Sequence, residues 1–176
     1  MIYNLIDKDS PILLSELPEI KVEELKKTHD LTLEDLHANL TQTMAAYGGI
    51  GLSANQAGLP VRAFVMYTDL NEKKVTLYLN PKITWESDET SMFSEGCLTY
   101  PYLFLNIKRP NLIKFTYTNI DGEQSEGSFS GLSARIFQHE YDHMEGKNFT
   151  MYASKLKLDM AKKKQLKMIK SLKKSA

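Results

Sequence analysis

From Leu33 onward, apolar residues return at helical steps: Leu33, Leu36, Leu40, Met44 and Tyr47 are three or four apart and share one face of a helix. Thr32 and Asp35 supply a capping box at its start, and Gly48 and Gly49 stop it. Strands are predicted over 61–68 and 74–80, separated by the polar stretch DLNEK, with Pro81 closing the second. Over 112–118, Ile113, Phe115 and Tyr117 alternate with Lys114, Thr116 and Thr118, and Asp121-Gly122 reads as a hairpin turn into EQSEGSF. Leu132, Ile136, Phe137 and Met144 predict a second helix over about 132–145, ended by Gly146. Helix, hairpin-linked strands, helix and tail predict an α+β fold, antiparallel strands packed around a central helix.

The 176 residues contain no repeat, no low-complexity linker and no Pro/Gly-rich boundary, so one domain over 1–176 is expected, with a change of composition over 151–176. Its 22 basic and 22 acidic residues cancel, which argues against protein-wide attraction to nucleic acid or acidic lipid; sequence-specific nucleic-acid binding is not expected. The sequence has neither a secretory leader nor a run of eighteen apolar residues, so a cytoplasmic protein with no membrane partner is expected. The sequons at Asn39 and Asn148 are then chance matches. The lone cysteine, Cys97, is an inert buried residue, a reactive thiol or a metal ligand.

The predicted second helix carries QHEYDH, residues 138–143. Residues four apart stack on one helical face, so His139 and His143 can aim two ring nitrogens at one point, which suits a single metal ion. Glu140, turned about 100° away, is a candidate general base toward a water at that ion. A hydrolytic site needs a third protein ligand and an open position. The extended pattern His-Glu-x-x-His-x-x-Gly-x-x-His matches through Gly146 but meets Phe149 where the third histidine belongs. His29 and His37 read as surface positions and Glu145 lies too near on the same helix, leaving Cys97 as the strongest candidate. The glycine-rich stretch 48–58 carries Gln56 among small residues and fits no phosphate-binding pattern.

Taken together, Gly49-Ile50-Gly51-Leu52-Ser53-Ala54-Asn55-Gln56, Glu95-Gly96-Cys97-Leu98-Thr99 and Gln138 to His143 resemble the three motifs of the peptide deformylases, and the resemblance spans roughly 33–150. It implies that Cys97, His139 and His143 bind one divalent metal, usually Fe2+ in this family with Zn2+, Ni2+ or Co2+ as substitutes. It implies a hydrolase removing the formyl group from N-formylmethionyl nascent peptides, with Glu140 as proton carrier and with the Gln56 side chain and the Leu98 backbone N–H holding the oxyanion. Gly51 and Gly96 would admit the substrate main chain, and Ile50, Phe93, Leu132 and Ile136 would line the methionine pocket. Arg135 stands at an often aliphatic position, so a polar pocket rim is expected; Phe104 replaces an arginine that contacts peptide in many members; and Arg109 is expected to pair with Glu95.

Residues 155–176 hold nine lysines and one acid, Asp159, with a narrow apolar stripe at Leu166, Ile169 and Leu172. The tail reads either as a mostly solvated terminal helix or as an electrostatic dock for ribosomal RNA. Two other functions compete with the deformylase reading: a zinc-dependent peptidase of the His-Glu-x-x-His type, and a non-catalytic peptide binder.

Overall fold

The structure, a computed structural model, describes residues 1–175. In chain order it contains α1 (Val22–His29), α2 (Leu33–Ala46), β1 (Gly51–Ser53), β2 (Ala63–Asp69), β3 (Lys74–Glu86), β4 (Thr90–Cys97), β5 (Tyr100–Pro110), β6 (Leu112–Thr118), β7 (Gln124–Ser130), α3 (Gly131–Met144) and α4 (Lys155–Ser175). One sheet has the order β1-β2-β3-β6-β7; β4 and β5 form a second, two-stranded sheet, and every pairing is antiparallel. This is the expected α+β arrangement, with α3 packed against β1, β2, β5, β6 and β7.

α2 begins and ends where its pattern requires. Thr32 Oγ1 accepts from the Asp35 backbone N–H at 3.1 Å, and Asp35 Oδ2 accepts from the Thr32 N–H at 3.1 Å. Leu33, Leu36, Leu40 and Met44 are buried, and Gly48 at φ 69° leaves the helix in the left-handed region. The hairpin of β6 and β7 also forms as the alternation requires: Ile113 and Phe115 are buried, Lys114 is exposed, and Gly122 turns at φ 81°.

Two strand readings need correction. β3 does not stop at Pro81 but runs to Glu86. The ladder to β6 shifts register between Leu79↔Thr118 and Lys82↔Thr116, so Pro81 occupies a bulge where no N–H is needed. Asn80 bends there at φ 49°, its side chain exchanging hydrogen bonds with the Ile20 backbone at 2.8 and 3.0 Å. The β4–β5 hairpin lies outside the strands expected from the sequence. In β5, Leu103, Leu105, Ile107 and Arg109 point inward, while Tyr102, Phe104, Asn106 and Lys108 are exposed. An outward-facing Phe104 and an inward-facing Arg109 hide the period of two.

α3 is buried on nearly all sides, and its Phe137 anchors an aromatic cluster. Its ring stacks on Phe115 at 4.1 Å and meets Phe64 and Tyr78 edge-on at 5.0 and 5.2 Å. The C-terminal end of α3 is tied down by buried Arg62, which donates to the carbonyls of Leu17 and Met144 at 3.0 and 3.2 Å and pairs with Glu145. α4 lies on β5, burying Ala161 and half-burying Leu158, Gln165 and Ile169; its lysines are exposed. The packed stripe therefore starts earlier than Leu166-Ile169-Leu172, and Leu166 is 58% exposed. Ala176 lies outside the described residues. No helix among the described residues is long and apolar enough to cross a membrane.

Truncating Phe137 removes the ring that the other aromatics pack around. Phe137→Ala is expected to destabilise the protein by about 3–5 kcal/mol, read as a lowered midpoint in urea unfolding at unchanged slope.

Candidate metal centre

α3 presents His139 and His143 on one face with ring centroids 5.3 Å apart. Cys97 ends β4 at a break in the ladder, where Gly96↔Phe104 is followed by Cys97↔Tyr100. That irregularity brings its Sγ to 3.5 Å from His143 Nε2. One donor atom from each of Cys97, His139 and His143 lies within 4.8 Å of the others. The remaining histidines stand apart from this cluster: His29 is on α1, and His37 on α2 places Nε2 3.2 Å from the Val75 carbonyl. Phe149, at the place of the absent third histidine, is fully buried with its ring 5.7 Å from that of His139.

Behind the cluster sits a buried charge network. Glu95 accepts from His139 Nδ1 at 2.9 Å, from Arg109 Nε and NH2 at 2.7 and 2.9 Å, and from Arg135 NH1 at 2.6 Å. A carboxylate can only accept, so Nδ1 of His139 carries the hydrogen and Nε2 is left for the sulfur side. Arg109 also donates to Asp142 at 2.9 Å, and Asp142 accepts from the Tyr152 hydroxyl at 2.8 Å. The expected Arg109–Glu95 pair is therefore bidentate and fully enclosed. Arg135 does not make a polar rim as expected: it is buried, also donating to the Ile107 and Ser91 carbonyls, each at 2.9 Å, with its guanidinium 5.3 Å from the Phe93 ring centroid.

These contacts set the protonation states of the metal-free cluster. Burial alone would raise Glu95, but hydrogen bonds from His139 and Arg109 outweigh it and hold the carboxyl at about 2. Burial would likewise raise Cys97, yet the charges and hydrogen bonds of His143 and His139 bring it well below the ordinary thiol range. His139 is raised to about 10, its bonds to Cys97 and Glu95 overcoming desolvation. The sulfur is thus held as a thiolate, the form that binds metal.

Glu140 differs from Glu95 in having no such partners. It is buried, its Oε2 meets no hydrogen-bond partner, and burial lifts it to about 7. Gly51 makes room for it: a Cβ there would come within 2.9 Å of the Glu140 Cδ, so this glycine is required by the carboxylate itself. Gln56 is oriented by Ser53, whose backbone N–H and hydroxyl donate to Oε1 at 3.1 and 2.9 Å. Because a backbone N–H can only donate, Nε2 must face the other way, toward Cys97 Sγ at 3.3 Å and the Thr99 hydroxyl at 2.8 Å. Ser53 and Thr99 thus fix the direction of this amide.

Gln56, Glu95, Cys97, His139 and Glu140 open onto one cavity of about 670 Å³, and His143 reaches the cluster through its contact with Cys97. Ile50, Gly51, Gly96, Leu98, Leu132 and Ile136 line it; Phe93 does not, its ring lying against Arg135 instead. Ile136 is buried, whereas Ile50 and Leu132 are half exposed. Of the network residues, Tyr152 carries no signal in the sequence, and the roles of Arg135 and of Asp142, within QHEYDH, appear only when β4, β5 and α3 are packed together.

The donor set suits a divalent transition metal. One thiolate and two imidazoles favour zinc, iron, nickel or cobalt over magnesium or calcium, and three protein donors beside a solvent-reachable cavity fit a catalytic rather than a closed structural site. The orphaned Oε2 of Glu140, buried on the same helix, fits such a site as well.

A family model described as polypeptide deformylase matches residues 3–159, well beyond the span 33–150 read from the motifs. The peptide deformylase of Phenylobacterium zucineum is 42% identical over 139 residues, covering 77% of this chain and 81% of that protein. Among solved structures, the peptide deformylase of Thermotoga maritima superposes with a TM-score of 0.75 at 34% identity, over 88% of this chain and 99% of that one. The Legionella pneumophila peptide deformylase reaches a TM-score of 0.82 at 28% identity, over 98% of each chain.

Removing Arg109 would leave the Glu95 and Asp142 carboxylates buried without their shared cation. Arg109→Ala is expected to cost about 3–5 kcal/mol in chemical unfolding and to lower the metal retained after dialysis. Unchanged metal content and midpoint would rule out the bracing role.

Proposed function

The chain belongs to the peptide deformylase family, hydrolases that release the formyl group from the amino terminus of nascent polypeptides, and we propose that Cys97, His139 and His143 hold one divalent ion for that reaction. The observation that carries this reading is the cluster of a thiolate and two imidazoles, beside an unpartnered buried carboxylate and an oriented amide, at the wall of one cavity. We assign ferrous iron as the native ion, with zinc, nickel or cobalt as substitutes, on family resemblance and on a donor set that suits all four. When bound, the ion supplies a Lewis acid beside the formyl carbonyl and makes water a stronger acid.

The protein's own groups account for the remaining steps. Glu140, buried and without a partner at Oε2, accepts a proton from the attacking water and returns it to the leaving nitrogen. Gln56 Nε2, held by Ser53 on the sulfur side, donates to the oxygen on which negative charge develops, joined by the backbone N–H of Leu98. Ile50, Leu132 and Ile136 take the methionine side chain, and the backbone around Gly51 and Gly96 accepts the extended peptide. Formate and a free amino terminus leave.

The exposed lysines of α4 favour docking at the ribosome, where these substrates emerge. Converting Lys163, Lys167, Lys170 and Lys174 to glutamine should weaken low-salt co-sedimentation with ribosomes; unchanged co-sedimentation removes the docking proposal.

The decisive experiment uses anaerobically purified protein with its metal measured. Formate is expected from formyl-Met peptides, with no cleavage of internal peptide bonds; internal cleavage would favour the peptidase reading instead. Glu140→Gln should lower turnover about 100- to 10,000-fold while leaving metal content and peptide binding in place. Wild-type turnover in that variant would exclude Glu140 as the proton carrier.

A further inference from the structure

α3 ends on a metal ligand. His143 is its penultimate residue, so the His143 carbonyl is among those that a helix leaves without intrahelical partners at its C-terminal end. The neighbouring carbonyls are taken up by backbone groups: Tyr141 and Asp142 accept from the Glu145 N–H at 3.3 and 3.0 Å, Asp142 also from the Lys147 N–H at 2.8 Å, and Met144 from the Leu17 N–H at 2.9 Å. The His143 carbonyl accepts from a side chain, Asn55 Nδ2, at 2.7 Å.

The two imidazoles are braced in different ways. His139 is oriented through its ring, with Nδ1 donating to Glu95 at 2.9 Å. His143 Nε2 faces Cys97 Sγ at 3.5 Å, but its buried Nδ1 meets no hydrogen-bond partner among the described residues. A ligating imidazole is ordinarily aimed by the hydrogen bond at its other nitrogen. His143 lacks that bond, so its aim depends on where its main chain is fixed.

Asn55 is placed to fix it. The residue is fully buried in the short 3₁₀ turn Ala54–Ala57, and its Nδ2 also reaches the Ile12 carbonyl at 3.4 Å. Both atoms facing the nitrogen are carbonyl oxygens, which only accept, so the amide cannot be reversed. The next residue is Gln56, whose own amide points at Cys97 Sγ. One turn thus sends adjacent side chains to two of the three ligands, Asn55 to the main chain of His143 and Gln56 to the sulfur.

We propose that Asn55 is the positioning residue of His143: by holding the carbonyl of this ligand it keeps Nε2 aimed at the ion shared with Cys97 and His139. The inference rests on the deformylase reading, with those three residues as ligands. Without the amide, a buried hydrogen bond is lost at the ligand itself, and no bond at the ring compensates.

The test compares Asn55→Ala with Asn80→Ala, which removes an amide bonded twice to the Ile20 backbone, outside the metal cluster and the cavity lining. Both variants are expected to lower the urea midpoint. Zinc affinity, measured by competition with a chelator, should fall about 10- to 100-fold in Asn55→Ala alone. With cobalt as the probe, the absorption bands of the bound ion should shift in Asn55→Ala and keep their wild-type positions in Asn80→Ala. Asn55→Ser, whose hydroxyl can still donate, should recover part of the zinc affinity, and it carries the comparison if Asn55→Ala does not fold. Wild-type zinc affinity and cobalt bands in the Asn55 variants, or equal losses in Asn80→Ala, overturn the positioning role alone. A wild-type protein that binds neither zinc nor cobalt overturns the metal centre and the positioning role together. Zinc binding without formate release from formyl-Met peptides overturns the deformylase reading, while the affinity comparison still decides the role of Asn55.

Discussion

The site depends on one buried carboxylate. Glu95 takes four hydrogen bonds, from two guanidinium groups and one imidazole, and no water is needed to keep it ionised. Its negative charge fixes the tautomer and tilt of His139, which in turn helps hold Cys97 as a thiolate. The same anion draws β4, β5 and α3 together, because its partners come from β5 and α3 while it stands on β4 itself. Folding and assembly of the donor set are therefore one event: the sulfur reaches the imidazoles only when the small sheet closes on the central helix.

The contrast between Glu95 and Glu140 shows how environment divides two acids of one type. Both are buried within the same cavity wall. One is surrounded by donors and stays charged far into the acid range; the other lacks a partner at Oε2 and is raised by burial to about 7. The first holds geometry and the second is free to move a proton, which is the separation of roles that acid–base chemistry needs.

Much of this was legible in the chain. α2, the β6–β7 hairpin and α3 follow from caps, turn residues and apolar spacing, and the spacing of His139 and His143 already implied a shared face. Cys97 could be reached by elimination and by resemblance. The failures have physical causes. β5 alternates cleanly, but its inward Arg109 and outward Phe104 invert the usual polarity, because the charge network needs the first and the cavity rim uses the second. Pro81 reads as a strand end unless the bulge that excuses its missing N–H is known. Arg135 and Tyr152 are ordinary residues in one dimension; only the packed helix makes them partners of Glu95 and Asp142.

The central helix also imposes a rule about chain length. Between Phe137, locked into the aromatic cluster, and His143, facing the sulfur, there is no slack: one residue added or removed would rotate everything beyond it by about 100°. The Arg62 clasp on the Met144 carbonyl fixes the far end, so such a shift could not unwind into the following loop. Between Phe137 and Met144 the chain can therefore change in composition only, residue for residue, and any change of length must fall outside that segment.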